Sequence, residues 1–374
     1  MKHFTLFSAF CALALTASAQ TQEVTVVEYH PAPGQFVNTL PVANENSTQE
    51  ELCKDCTDRM NEGSLVHLGT YGGYMTMKFD HPVKNLRGSD FRILGNGFYA
   101  ADDPVYGSET IGGSFEPGIV YVGVGDDLET CKWYELAGSE YYTTEIHDFE
   151  ITYFKPEAEE GAHEQQASSY DNYIRWEASW TDKNGEKRDS TGYHIKNIYH
   201  RQSYWPHFEG KDKLTFRGGK LPNNAIEQSG RGMYWVLYRY AKDSYGYADA
   251  SLNTDAYSTF DIDWAVDENG NHVDLQEINY IKVVCGIFQY CGWLGETSTE
   301  VAGFQDLHLV PGYDDNPIII KPRDPSGISA IRTEVLKDGK YYDLMGRVVK
   351  NPQSGLYIHN GKKVFIKAAI KREQ

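Results

Sequence analysis

Gly118-Ile119-Val120-Tyr121-Val122-Gly123 is a run of β-branched and aromatic residues closed by glycine at both ends, the composition of a strand. Runs of the same kind stand at 74–79, 149–154, 234–238, 260–264 and 278–284. Asn184-Gly185 and Asn269-Gly270 supply hairpin turns between them, and no helical periodicity intervenes. Many strands without crossover helices predict an all-β protein, an antiparallel β-sandwich or jelly-roll-like main domain rather than a doubly wound sheet.

One segment breaks this rule. In Ser47-Thr48-Gln49-Glu50-Glu51-Leu52, Thr48 is an N-cap and Glu51 completes a capping box, so a short helix is expected at about 48–61. Leu52, Cys56 and Met60 then share one face. The Cys53-x-x-Cys56 pair on this helix reads first as packing. A local disulfide and a metal site are the alternatives, the latter weakened by the lack of a second CxxC.

Residues 1–19 run from a basic start through an apolar stretch to Ala17-Ser18-Ala19, the pattern of a secretory signal peptide. Phe10 precedes Cys11 where a lipoprotein signal needs a small residue. No later run approaches the ~18 apolar residues of a spanning helix, so the protein is expected to be secreted or at the cell surface, and not membrane-spanning. Five cysteines after the leader are too few and too odd in number for a disulfide framework. The main domain is expected at 20–312, a Pro-rich linker at 313–327 and a small β domain at 328–374, where Asn360-Gly361 makes a hairpin turn. Pro156 to Ser169 reads as a polar insertion or exposed loop.

The net charge of −18 is unevenly spread: residues 328–374 carry +6 and residues 20–327 carry −25. An acidic body excludes nucleic acid and anionic membrane as partners. Catalytic signatures appear only in fragments. Gly95-Asn96-Gly97 is followed by acids and Pro104 instead of a phosphate-binding helix, His163-Glu164 lacks its second ligand, and Gly112-Gly113-Ser114 lacks a closing glycine. Read as a strand, 260–267 sets Asp261, Asp263 and Asp267 on one face. Asp261 and Asp263 are therefore weak candidates for paired-carboxylate catalysis in a jelly-roll glycoside hydrolase, and for calcium binding. Asp126 and Asp127 are further candidates for a Ca2+ ion. The stronger binding signal is aromatic: Tyr204-Trp205, Tyr245-Gly246-Tyr247 and Tyr290-Cys291-Gly292-Trp293-Leu294-Gly295-Glu296 place flat rings beside glycine and polar groups. Tyr204, Trp205, Tyr247, Trp293 and Glu296 are the expected ligand contacts.

Tyr29-His30-Pro31-Ala32-Pro33-Gly34, Glu116-Pro117-Gly118, Trp133-Tyr134-Glu135-Leu136-Ala137-Gly138-Ser139-Glu140-Tyr141 and Trp293-Leu294-Gly295-Glu296-Thr297-Ser298-Thr299-Glu300-Val301 resemble a family of secreted cell-surface proteins of Bacteroidetes, over about residues 24–312. The resemblance implies an accessory to outer-membrane uptake systems, including those for corrinoids, and so a binding role with an outer-membrane transporter as partner. The family often carries a calcium-like loop before its Trp-Tyr-Glu motif, and the matching 126–131 segment is shortened here. The tail, with Tyr342-Asp343-Leu344-Met345-Gly346-Arg347 and Gly355-Leu356-Tyr357-Ile358, is similar to type IX secretion sorting domains. The expected function is binding of a nutrient, glycan or corrinoid at the cell surface. A hydrolase and a structural or adhesion protein are the alternatives.

Overall fold

A computed structural model describes residues 22–100, 112–156, 173–194, 196, 200, 202–232, 234–292, 295–313, 340–342, 348–350, 352, 355–359 and 362–366. The leader, the linker beyond Tyr313, the polar insertion beyond Pro156, Trp293 and the Asn360-Gly361 turn lie outside them. The chain forms two compact units, Met1–Pro322 and Arg323–Gln374.

The fold of the first unit is all-β. Gly118–Val124 lies inside a seven-stranded sheet ordered Val24–His30, Tyr74–Phe79, Tyr280–Cys285, Gly118–Val124, Lys132–Leu136 and Ala265–Val266, with Tyr247–Ala248 also paired to Gly118–Val124. All of its pairings are antiparallel. Alternation sorts its residues. Met77, Ile281 and Val122 stand opposite one another, as do Met75, Val283 and Val120, and all six are buried. The intervening row is polar: Glu28, Thr76, Lys282, Tyr121 and Glu135 succeed one another across five strands. In that row Thr76 Oγ1 donates to Glu28 Oε2 at 2.7 Å, and Lys282 Nζ lies 4.3 Å from the Trp133 ring centre.

The helix Gln49–Glu62 closes the apolar face. Glu51 N donates to Thr48 Oγ1 and Thr48 N to Glu51 Oε2, completing the capping box, and Gly63 ends the helix at φ 69°. Leu52, Cys56 and Met60 are buried against the sheet, and each large apolar side chain so placed stabilises by about 1.5–3 kcal/mol. Cys53 and Cys56 are free thiols, Cys56 buried on the packed face of the helix and Cys53 half-buried beside it.

A second sheet, ordered Lys187–His194, Ile174–Thr181, Ile146–Phe154 and Lys213–Lys220, encloses its own core of Tyr71, Phe149, Ile151, Tyr153, Tyr204 and Trp205. Two hydroxyls fasten it to the segment before Tyr74–Phe79: Tyr71 donates to Phe149 O and Tyr153 to Tyr71 O. The expected strand over 260–267 does not form. Thr259–Phe260 and Ala265–Val266 are separated by a 3-10 turn, Ile262–Trp264, because the Asp261 carboxylate accepts from Asp263 N and caps it. In the second unit, Val348–Val349, Tyr341–Tyr342, Gly355–His359 and Lys362–Ile366 form one antiparallel sheet in that order.

Candidate functional site

The aromatic residues expected at the ligand are core residues. Tyr204 and Trp205 are fully buried, with the Tyr204 ring edge-on to Tyr173 at 5.8 Å. Tyr247 is buried too: Gly138 lies flat against its ring, where a Cβ would come within 2.4 Å of Cζ, and its hydroxyl accepts from Glu140 N. Rings covered on every side cannot stack on a ligand from solvent, so these three positions correct the expected binding surface. Trp293 lies outside the described residues.

Exposed rings gather elsewhere. Of the nine large apolar side chains exposed among the described residues, Phe98, Tyr99, Ile226 and Tyr234 sit on or beside one small sheet. Its order is Ala225–Glu227, Trp235–Tyr238, Gly112–Ser114 and Phe98–Tyr99. A fifth, Tyr290, is in the loop pressed against it, where a Cβ on Gly292 would fall 1.9 Å from Trp235 Nε1. Register sets Phe98, Ser114 and Ile226 in one row with the buried Val236 between the last two. Trp235 Nε1 is buried with no hydrogen-bond partner among the described residues.

From one strand of that sheet the chain runs on into an acid cluster. Gly112–Ser114 leads through Phe115 to Glu116, Tyr247–Ala248 leads to Asp249, and Glu300–Val301 supplies Glu300. One carboxylate oxygen from each of Glu116, Asp249 and Glu300 lies within 4.8 Å of the others. Asp249 is held at φ 54°, the positive-φ non-glycine position among the described residues, so that its Oδ1 accepts from Asn96 N at 2.6 Å and its Oδ2 from Glu300 N at 3.1 Å. Glu116 accepts from Ser298 N. Glu296, whose side chain is fully buried, accepts from Gln35 N, and its Oε2 has no partner; nor has Glu300 Oε2. Glu296 is thus part of this acid network and not a surface contact.

Burial, and then the charge of Glu116, holds the carboxyls of Asp249 and Glu300 well above the usual range, and burial pushes Glu296 up to about 8. His67 does not neutralise them. Its Nδ1 accepts from Gly69 N, its Nε2 stands 3.5 Å from Glu300 and 3.7 Å from Glu296, and burial lowers its pKa to about 3. Among the described residues no Lys or Arg ion pair reaches the four acids.

A second buried pair, Glu135 and Glu145, sits where the polar row ends. Both are raised by burial, Glu145 to about 7, and a Cβ on Gly219 would strike Glu145.

The weak carboxylate candidates are dispersed. Asp261 is a buried cap, and Asp263 is exposed and accepts from Asn85 Nδ2. The turn at Ile262–Trp264 uses Asp261 as its cap, so the two are not the outward-facing strand pair that the alternation predicts. Asp126 and Asp127 are exposed turn residues, Asp127 Oδ1 accepting from Glu129 N. None of these four belongs to the convergent group. No described helix is long and apolar enough to cross a membrane. No protein-family model matches the chain, and no curated protein does.

Proposed function

We propose that this is an exported cell-surface protein that binds a glycan through the small sheet bearing Phe98, Tyr99, Ile226 and Tyr234. One observation carries the reading: five of the nine exposed large apolar side chains collect on this sheet and the Tyr290 loop beside it. Exposed rings next to glycine-rich backbone offer flat apolar faces with hydrogen-bonding groups at their edges, the combination that sugars use. The leader at 1–19 supports export, the tail supports a sorting signal, and the acidic body supports an uncharged or cationic ligand. A corrinoid or another nutrient passed to an outer-membrane transporter offers similar planar faces and is the competing ligand class.

Thermal unfolding of the full chain against glycans and cobamides tests the reading. A ligand at 100 times its Kd adds about 2.7 kcal/mol. The Phe98→Ala/Tyr99→Ala variant, altered at exposed positions, should keep the unliganded unfolding temperature and lose that gain. A shift with cobamides alone replaces the ligand class. No shift with either removes the binding role and favours an adhesion or structural protein.

A further inference from the structure

We propose that Glu116, Asp249 and Glu300 form a buried site for a divalent cation of the calcium class. The site differs from the acidic turns singled out in the sequence and does not depend on the glycan reading. A hard cation takes oxygen ligands at about 2.3–2.6 Å, so its ligands lie at most about 5 Å apart. The three carboxylate oxygens meet that limit at 4.8 Å. They come from three segments distant in sequence, and their positions are fixed by backbone donors: Ser298 N on Glu116, Asn96 N and Glu300 N on Asp249.

A second observation points to a ligand. Glu300, 8% exposed, shares a side-chain hydrogen bond with Glu116 and has no partner at Oε2; Glu296, 4% exposed, has none at Oε2 either. An ionised buried carboxylate oxygen left unpaired is costly, and several together repel. His67 accepts from Gly69 N at Nδ1 and turns its Nε2 toward Glu296 and Glu300, so it offers them one N–H and no second donor. A cation satisfies the oxygens and the charge together. Oxygen-only donors favour Ca2+, Mg2+ or Mn2+ over softer metals, and ligands spread over three segments suit the adaptable shell of Ca2+ better than the strict octahedron of Mg2+.

The test is isothermal titration of chelator-treated full-length protein with CaCl2 at pH 7.5, repeated with MgCl2 and MnCl2. The expected result is one saturable Ca2+ site per chain, at least tenfold tighter than for Mg2+, with a rise in unfolding temperature. Glu300→Gln should unfold in chelator at or above the wild-type temperature, since it removes one of the crowded charges, while its Ca2+ affinity falls at least tenfold. Preference for Mn2+ would overturn the calcium assignment. Absence of saturable binding by wild type would overturn the site, leaving the carboxyls protonated. Unchanged affinity in a folded Glu300→Gln protein would overturn it as well; should that variant not fold, Asp249→Asn carries the same comparison, and the wild-type titration decides alone. Glycan binding by Phe98→Ala/Tyr99→Ala is a separate readout, so either proposal can fail without the other.

Discussion

Glu145 shows how far a side chain's chemistry depends on what folds over it. In sequence it is an ordinary acid before a strand. In the fold it has no exposed side-chain surface, it faces Glu135, and burial raises it from 4.5 to about 7. A carboxyl whose folded pKa exceeds its unfolded one holds its proton more tightly in the native state. The contribution of Glu145 to stability is therefore fullest below pH 4.5 and declines as pH rises from there toward 7. Glu145→Gln should flatten this part of the stability–pH curve, measured by urea unfolding between pH 4.5 and 8. A wild-type slope retained by the variant would assign the effect to other groups. The same argument explains why the acid cluster was half legible. Glu116, Glu296 and Glu300 all lie in the motifs that carry the family resemblance, but only Glu296 stood out beside aromatic residues. Asp249 had no local signal, because its partners Asn96 and Glu300 are 153 and 51 residues away.

At the scale of elements, local signals were reliable where they did not compete. Thr48, Glu51 and the Leu52-Cys56-Met60 spacing define the helix, and the structure places Gln49–Glu62 there with that face buried. Thr48→Ala leaves Glu51 N without its side-chain acceptor and should cost about 1 kcal/mol in equilibrium unfolding, with an unchanged fold by circular dichroism. A cost near zero would mean that packing alone holds the helix end. The 260–267 segment failed for the opposite reason. Its alternation fits a strand, but Asp261 can bond its own backbone two residues on, and Asp90 Oδ2 accepts from Ile262 N. Those two bonds favour a turn over a ladder. The aromatic loops failed in a third way, since composition does not say which side of a ring is covered. Tyr204-Trp205 fills the second core, while Phe98-Tyr99, a less conspicuous pair, is left open.

The whole molecule divides into a large β unit and a small C-terminal one, each with its own sheets. A chain ending at Pro322 should therefore keep the unfolding temperature of the full chain to within about 2 °C by scanning calorimetry. A large drop would show that the tail stabilises the first unit. The acidic body and basic tail, the all-β class, the helix and its buried face were all written in local sequence, because strand alternation, turn glycines and capping act over a few residues. The tertiary structure alone decided which rings are core and which are surface. It also decided which acids stand alone in water and which are driven together out of it. Burial and convergence are long-range properties, set when strands from opposite ends of the chain pair, and no window of neighbouring residues contains them.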